Sequence, residues 1–192
     1  ERSPLVDFLT PVCKFACTEG GVAAASLGIQ VLGGYGYLRE YRVEQVLRDA
    51  RITTIYEGAN GIHAAALATR LLRHADGAAA DAFAALLDDL PATRDTWQGV
   101  RDRMLAAPDP SPAAHAFMRL TAEAAMAAVW HRLAAMADRS PDPARLAALA
   151  AQQAALHPIR LRHHAELAEL ALGRHPAATV LPFAGAQTAC AS

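Results

Sequence analysis

Apolar and small residues dominate positions 8–32, FLTPVCKFACTEGGVAAASLGIQVL, where the only charges are Lys14 and Glu19. The run predicts a helix, interrupted at Pro11, which lacks the N–H a helix interior uses, and loosened at Gly20-Gly21. The cluster GGYGY at 33–37 ends it. From 41 to 49, YRVEQVLRD has the spacing of a short amphipathic helix with Val43, Val46 and Leu47 turned to a core. Glu44 stands four residues before Arg48, the favourable order for a helical ion pair. RITTIYEG at 51–58 is rich in β-branched residues and reads as extended. A helix with Asn60 as its N-cap is then expected to run to His74.

After Asp76-Gly77 the texture changes. Residues 78–90 and 93–107 read as helices separated by Pro91, and PDPSP at 108–112 reads as a linker. A long helix is expected over 112–138, with Phe117, Leu120, Met126, Val129, Trp130 and Leu133 as its apolar positions. SPDP at 140–143 ends it and starts a helix to 156; HPIRLRHHAELAELALG gives a last helix closed by Gly173, followed by an irregular tail. The fold class is all-α, divided at residues 1–75 and 76–192.

Composition supports this reading. Hydrophobic residues make up 53% of 192 positions but aromatics only 6%, so the apolar content is largely alanine and leucine, both good helix formers. The length suffices for one large or two small domains. A net charge of −1 with mixed signs gives no basic face for nucleic acid. No uninterrupted apolar run reaches the ~20 residues of a membrane span, and no signal peptide is readable. Of the 18 basic residues only Lys14 is a lysine, which reads as a GC-rich genome. Cys13, Cys17 and Cys190 form no disulfide framework. Cys13 and Cys17, four apart, read as reduced core thiols, which fits the cytoplasm.

Residues 30–62, QVLGGYGYLREYRVEQVLRDARITTIYEGANGI, carry the chemistry. Gln30, Gly33-Gly34, Tyr35 to Tyr37, Arg39-Glu40-Tyr41, Arg48 to Arg51 and Tyr56-Glu57-Gly58 occur in the order and with the gaps of one family signature. In this the chain resembles the C-terminal region of the acyl-CoA dehydrogenases, flavoenzymes of fatty-acid metabolism that oxidise acyl-CoA thioesters between the α and β carbons. The resemblance covers residues 5 to about 73. The long helical remainder resembles a branch with an additional C-terminal helical domain.

The resemblance implies an oxidoreductase that uses FAD, with Glu57 as the base that takes the substrate's α-proton. Tyr56 and Gly58 would lie beside the acyl-CoA. Gln30, Gly33 and Gly34 would reach the diphosphate and adenosine part of an FAD held mainly by a neighbouring subunit, while Ala59, Asn60 and Gly61 line the flavin. That arrangement implies a homodimer or larger, with electrons passing to an electron-transfer flavoprotein or similar acceptor. Outside the signature, a lone acid such as Glu57 before a helix would read as satisfying free amides. The chain departs from the family at Ala59, where threonine is common, at Arg42, where proline is, and at His63, where glutamine is. The opening ERSP has no initiating Met, and the domains that in the family hold the flavin ring do not precede it; by that comparison these residues alone are inactive.

Two other readings stand beside this one. An acyl-CoA oxidase shares the base but hands electrons to oxygen, and a non-catalytic helical module would serve oligomerisation or partner binding. His157, His163 and His164 read as surface residues, because adjacent helical positions diverge by about 100° and no carboxylate or cysteine stands at ligand spacing. Trp97 and Trp130 read as core anchors.

Overall fold

The computed structural model describes residues 3–173; the expected irregular tail and Cys190 lie outside them. Eight α-helices account for most of the described chain: α1 (Pro4–Leu32), α2 (Gly34–Tyr37), α3 (Val43–Ile52), α4 (Asn60–Thr69), α5 (Ala78–Ala85), α6 (Pro91–Ala106), α7 (Ala114–Ala135) and α8 (Pro143–Leu172). Short 3-10 turns join several of them, and no strand occurs among the described residues. The all-α expectation holds.

Prolines behave differently from the sequence-based expectation. Pro11 lies inside a continuous 29-residue α1 that also runs through Gly20-Gly21. Pro158 lies inside a continuous 30-residue α8, so the two helices expected on either side of 157 are one. Each proline removes a single backbone bond, and the flanking turns of both helices are fixed by packing. Phe8, Val12 and Phe15 bury the α1 face around Pro11, which is itself buried; His157 and Leu161 do the same around Pro158. Pro91 opens α6 at its first position, where a missing N–H costs nothing. At α8 the Asp142 carboxylate accepts from the Arg145 amide at 3.0 Å, a side-chain N-cap.

Around α3 the chain also departs from expectation. RITTIYEG is not extended: α3 continues to Ile52 and residues 53–58 form consecutive turns, with the Thr53 and Thr54 hydroxyls bonded back to the carbonyls of Ala50 and Arg51. The Glu44–Arg48 pair forms at 2.8 Å. Val43 and Leu47 are half-buried, whereas Val46 is exposed. The helix from Asn60 stops at Thr69 rather than His74, and backbone angles at His74, Ala75 and Asp76 leave the helical region.

One hydrophobic core crosses residue 75. Trp97 of α6 sits at its centre, fully buried, with ring centroids 6.2 Å from Phe8 of α1, 4.8 Å from Phe83 of α5 and 6.0 Å from Phe117 of α7. Its indole N–H donates to the Thr121 hydroxyl at 3.0 Å, and that hydroxyl donates to the Phe117 carbonyl at 2.8 Å, so the buried polar atoms are satisfied. Phe117 and Leu120 are buried as expected, but Met126 and Val129 are exposed and Trp130 is only half-buried. α8 packs along α7.

α1 is also the described helix long and apolar enough, by length and composition, to cross a membrane, although Lys14 and Glu19 interrupt its apolar run. Phe8, Val12 and Phe15 instead join the core, and Lys14, Thr18 and Glu19 are committed to hydrogen bonds. Cys13 and Cys17 share a face of α1, but that face is exposed, so they are not core thiols.

Candidate functional site

Glu57 occupies the tight turn between α3 and α4. Its φ is +54°, in the left-handed region that side chains other than glycine rarely adopt. Arg42, Ala75 and Asp76 share that sign at other helix junctions. What distinguishes Glu57 is the set of bonds that fixes its turn. His63 Nε2 donates to the Glu57 carbonyl at 3.1 Å, Lys14 Nζ donates to the Gly58 carbonyl at 2.8 Å, and the Asn60 amide closes the loop on the Thr54 carbonyl at 3.0 Å. Strain of this kind persists where surrounding bonds over-determine it. The Glu57 side chain itself is exposed, two positions before the first residue of α4's capping turn.

Gly58 follows with φ +88°, and a Cβ built on it would stand 3.0 Å from His63 Nε2. Gly58→Ala therefore combines a left-handed backbone with a clash against the imidazole that holds Glu57. We expect it to destabilise the chain by about 1–2 kcal/mol, measured by urea unfolding. In a His63→Ala background, which removes the imidazole together with its bond to the Glu57 carbonyl, Gly58→Ala should still cost the backbone part; no cost there would mean the φ is unstrained.

Asn60 is not an N-cap. It is buried, and its side chain turns to α1, where Oδ1 accepts from Lys14 Nζ at 2.8 Å and Nδ2 donates to Glu19 Oε1 at 2.9 Å and to Thr18 Oγ1 at 3.1 Å. Its hydrogen-bonding capacity is thus spent inside the protein. Ala59 is half-buried, while Gly61 and Tyr56 are exposed beside it.

Gln30, Gly33 and Gly34 form a second group at the far end of α1. Gly33, with φ +58°, ends the helix and bonds back to the Gln30 carbonyl. All three are exposed, and beyond the adjoining backbone nothing lies within 4 Å of where a Cβ on Gly33 or Gly34 would stand. Behind them Gly36 is a close-approach position, since a Cβ there would meet the Ile29 carbonyl at 2.7 Å. Sixteen residues of helix separate Lys14 from Gln30, about 24 Å at 1.5 Å per residue. One chain does not bring its two groups of candidate residues together.

Between and around them lies an unusually apolar exterior. Leu27, Val31, Tyr35, Tyr37, Ile55 and Ile62 are each more than half exposed. Lys14, Thr18, Glu19 and His63 were not singled out as site residues from sequence. The lone lysine of an arginine-rich chain was the available signal, and it points at the loop carrying Glu57. His157 is buried rather than on the surface, with Nδ1 paired to the Glu123 carboxylate. Among the described residues no group of three or more His, Cys, Asp or Glu is placed to hold a metal.

Residues 3–72 match the family model for the acyl-CoA dehydrogenase C-terminal domain. The 3-methylmercaptopropionyl-CoA dehydrogenase of Ruegeria pomeroyi is 42% identical over 87 residues, 45% of this chain and 15% of that protein. The mitochondrial short-chain specific acyl-CoA dehydrogenase of Rattus norvegicus is 45% identical over 62 residues, 32% of this chain and 15% of that enzyme. The acryloyl-CoA reductase (NADH) of Anaerotignum propionicum is 39% identical over 62 residues, 32% of this chain and 16% of that one. The chain therefore spans only about a sixth of the length of these curated relatives, and the resemblance carried by residues 30–62 is confirmed as one to this family's C-terminal domain.

Proposed function

We propose that this chain forms the C-terminal, base-bearing part of a flavin-dependent acyl-CoA dehydrogenase, with Glu57 removing the α-proton of the thioester. The observation that carries the reading is the strained, bond-locked Glu57 turn inside the matched segment. An exposed carboxylate on a fixed backbone can be aimed at a carbon acid without reorganising. Gly58 and Gly61 leave the backbone near Glu57 uncrowded, so the Glu57 amide can meet charge developing on the thioester oxygen.

The other group suits part of a dinucleotide. Exposed Gly33 and Gly34 leave open the space that side chains would fill, and the Gln30 amide adds a donor and an acceptor. FAD held there would supply the acceptor for the hydride leaving the β-carbon. Because about 24 Å of helix separates this group from Lys14, which tethers the turn of Glu57, Gln30, Gly33 and Gly34 would serve the cofactor of a neighbouring subunit. The apolar exterior from Leu27 to Ile62 supports that arrangement, since it gives a second subunit or further domains a surface to cover. Acyl-CoA as substrate and an electron-transfer flavoprotein as acceptor belong to the same reading. A reductase among the relatives acts on an unsaturated acyl-CoA, and in that direction the same carboxyl would return the α-proton.

The test is the visible spectrum of the purified complete enzyme before and after anaerobic addition of an acyl-CoA panel. The expected result is a flavin band that bleaches with one substrate and recovers slowly in air. Fast recovery in air would make the protein an oxidase, and a colourless preparation would leave a helical scaffold and overturn the reading.

A further inference from the structure

We infer that the helices after residue 76 set the position of the Glu57 turn, and that Arg119 of α7 is the positioning residue through which they do so. The inference rests on the proposed role of Glu57 only for its catalytic consequence. A continuous chain of bonds joins the two. Arg119 Nη2 donates to Glu19 Oε2 at 3.1 Å, across 100 residues of sequence. Glu19 Oε1 accepts from Asn60 Nδ2 at 2.9 Å, Asn60 Oδ1 accepts from Lys14 Nζ at 2.8 Å, and the same ammonium donates to the Gly58 carbonyl at 2.8 Å. The next residue toward the N-terminus is Glu57.

The charges explain why the link matters. Glu19 divides its two oxygens between Arg119 and Asn60, so its charge is matched by a guanidinium and not by the lysine. Without Arg119, Glu19 competes for the Lys14 ammonium, one side chain away across Asn60, and draws it from the Gly58 carbonyl. Arg119 is itself held in place. Its Nε donates to His115 Nε2 at 2.9 Å, and its guanidinium lies 5.5 Å from the centre of the Phe15 ring. Burial, and then the Arg119 charge, keep His115 below the usual imidazole range, as a nitrogen that accepts from arginine requires. The Arg119 and Glu19 side chains are 38% and 32% exposed, so solvent weakens their attraction without removing it.

Amide hydrogen exchange on this chain tests the link without turnover. The Asn60 amide, bonded to the Thr54 carbonyl, reports opening of the loop. The Phe83 and Met104 amides, in α5 and α6, report the rest of the fold. In Arg119→Ala, Asn60 exchange is expected to rise about fivefold while Phe83 and Met104 stay at wild-type rates. Arg119→Lys, which keeps the charge, should restore most of the protection. Unchanged Asn60 exchange, or an increase no larger than at Phe83 and Met104, overturns the proposal. In the complete enzyme Arg119→Ala should lower kcat severalfold with KM unchanged. Were Glu57 not the base, kcat would not respond, yet the exchange result would stand or fall on its own.

Discussion

Glu57→Gln in the complete enzyme is expected to lower kcat by about 10³-fold, within the range for loss of a positioned general base. The substitution keeps the size and shape of the side chain and removes only its ability to take a proton. It should leave the turn intact, because the bonds that hold Glu57 run through its own carbonyl and that of Gly58, not through its carboxylate. The unfolding midpoint and the binding of a non-oxidisable acyl-CoA should therefore match wild type. Stopped-flow bleaching of the flavin band reads the hydride transfer that accompanies proton abstraction. Normal turnover by the variant would remove Glu57 from the mechanism.

Trp97→Ala is expected to have the largest effect on stability, about 3–5 kcal/mol, and to lower the melting temperature by roughly 10 °C for a chain of this size. The indole is fully buried against aromatic rings from α1, α5 and α7, so its loss opens a cavity where four helices meet. It also strands the Thr121 hydroxyl without the donor it accepts from. Because Phe8 and Phe117 lie on opposite sides of residue 75 and both touch Trp97, the matched segment and the later helices should lose stability in one transition. Calorimetry that shows two transitions, with only the later one displaced, would contradict a shared core.

Much of this was legible in the sequence, for identifiable reasons. The signature from Gln30 to Ile62 is a matter of residue types at fixed gaps, and it pointed to the family domain that residues 3–72 match. The Glu44–Arg48 pair and the arrest of α1 at Gly33 were legible because both are local. Pro11 and Pro158 misled because a proline's effect depends on what packs around the flanking turns, which lies elsewhere in the chain. The turns at 53–58 misled because β-branched Ile and Thr weigh toward strands, while here two threonine hydroxyls bond back to the preceding helix end. Asn60 looked like a cap from its neighbours. Its actual partners, Lys14, Thr18 and Glu19, stand more than 40 residues away, and no local pattern shows them. Cys13 and Cys17 were rightly placed on one face, but which face of α1 meets the core is decided by Phe8, Val12 and Phe15.

The scarcity of lysine has a chemical corollary. In these 192 residues, reactions directed at a side-chain amine, such as acetylation, methylation or isopeptide formation, have Lys14 as their single target. That amine is already engaged with the Gly58 carbonyl and with Asn60. Acylating it would neutralise the charge and release both acceptors, leaving the Glu19 carboxylate to Arg119 and the turn of Glu57 with one tether fewer. Within these 192 residues, covalent control by lysine chemistry would act on the candidate site itself.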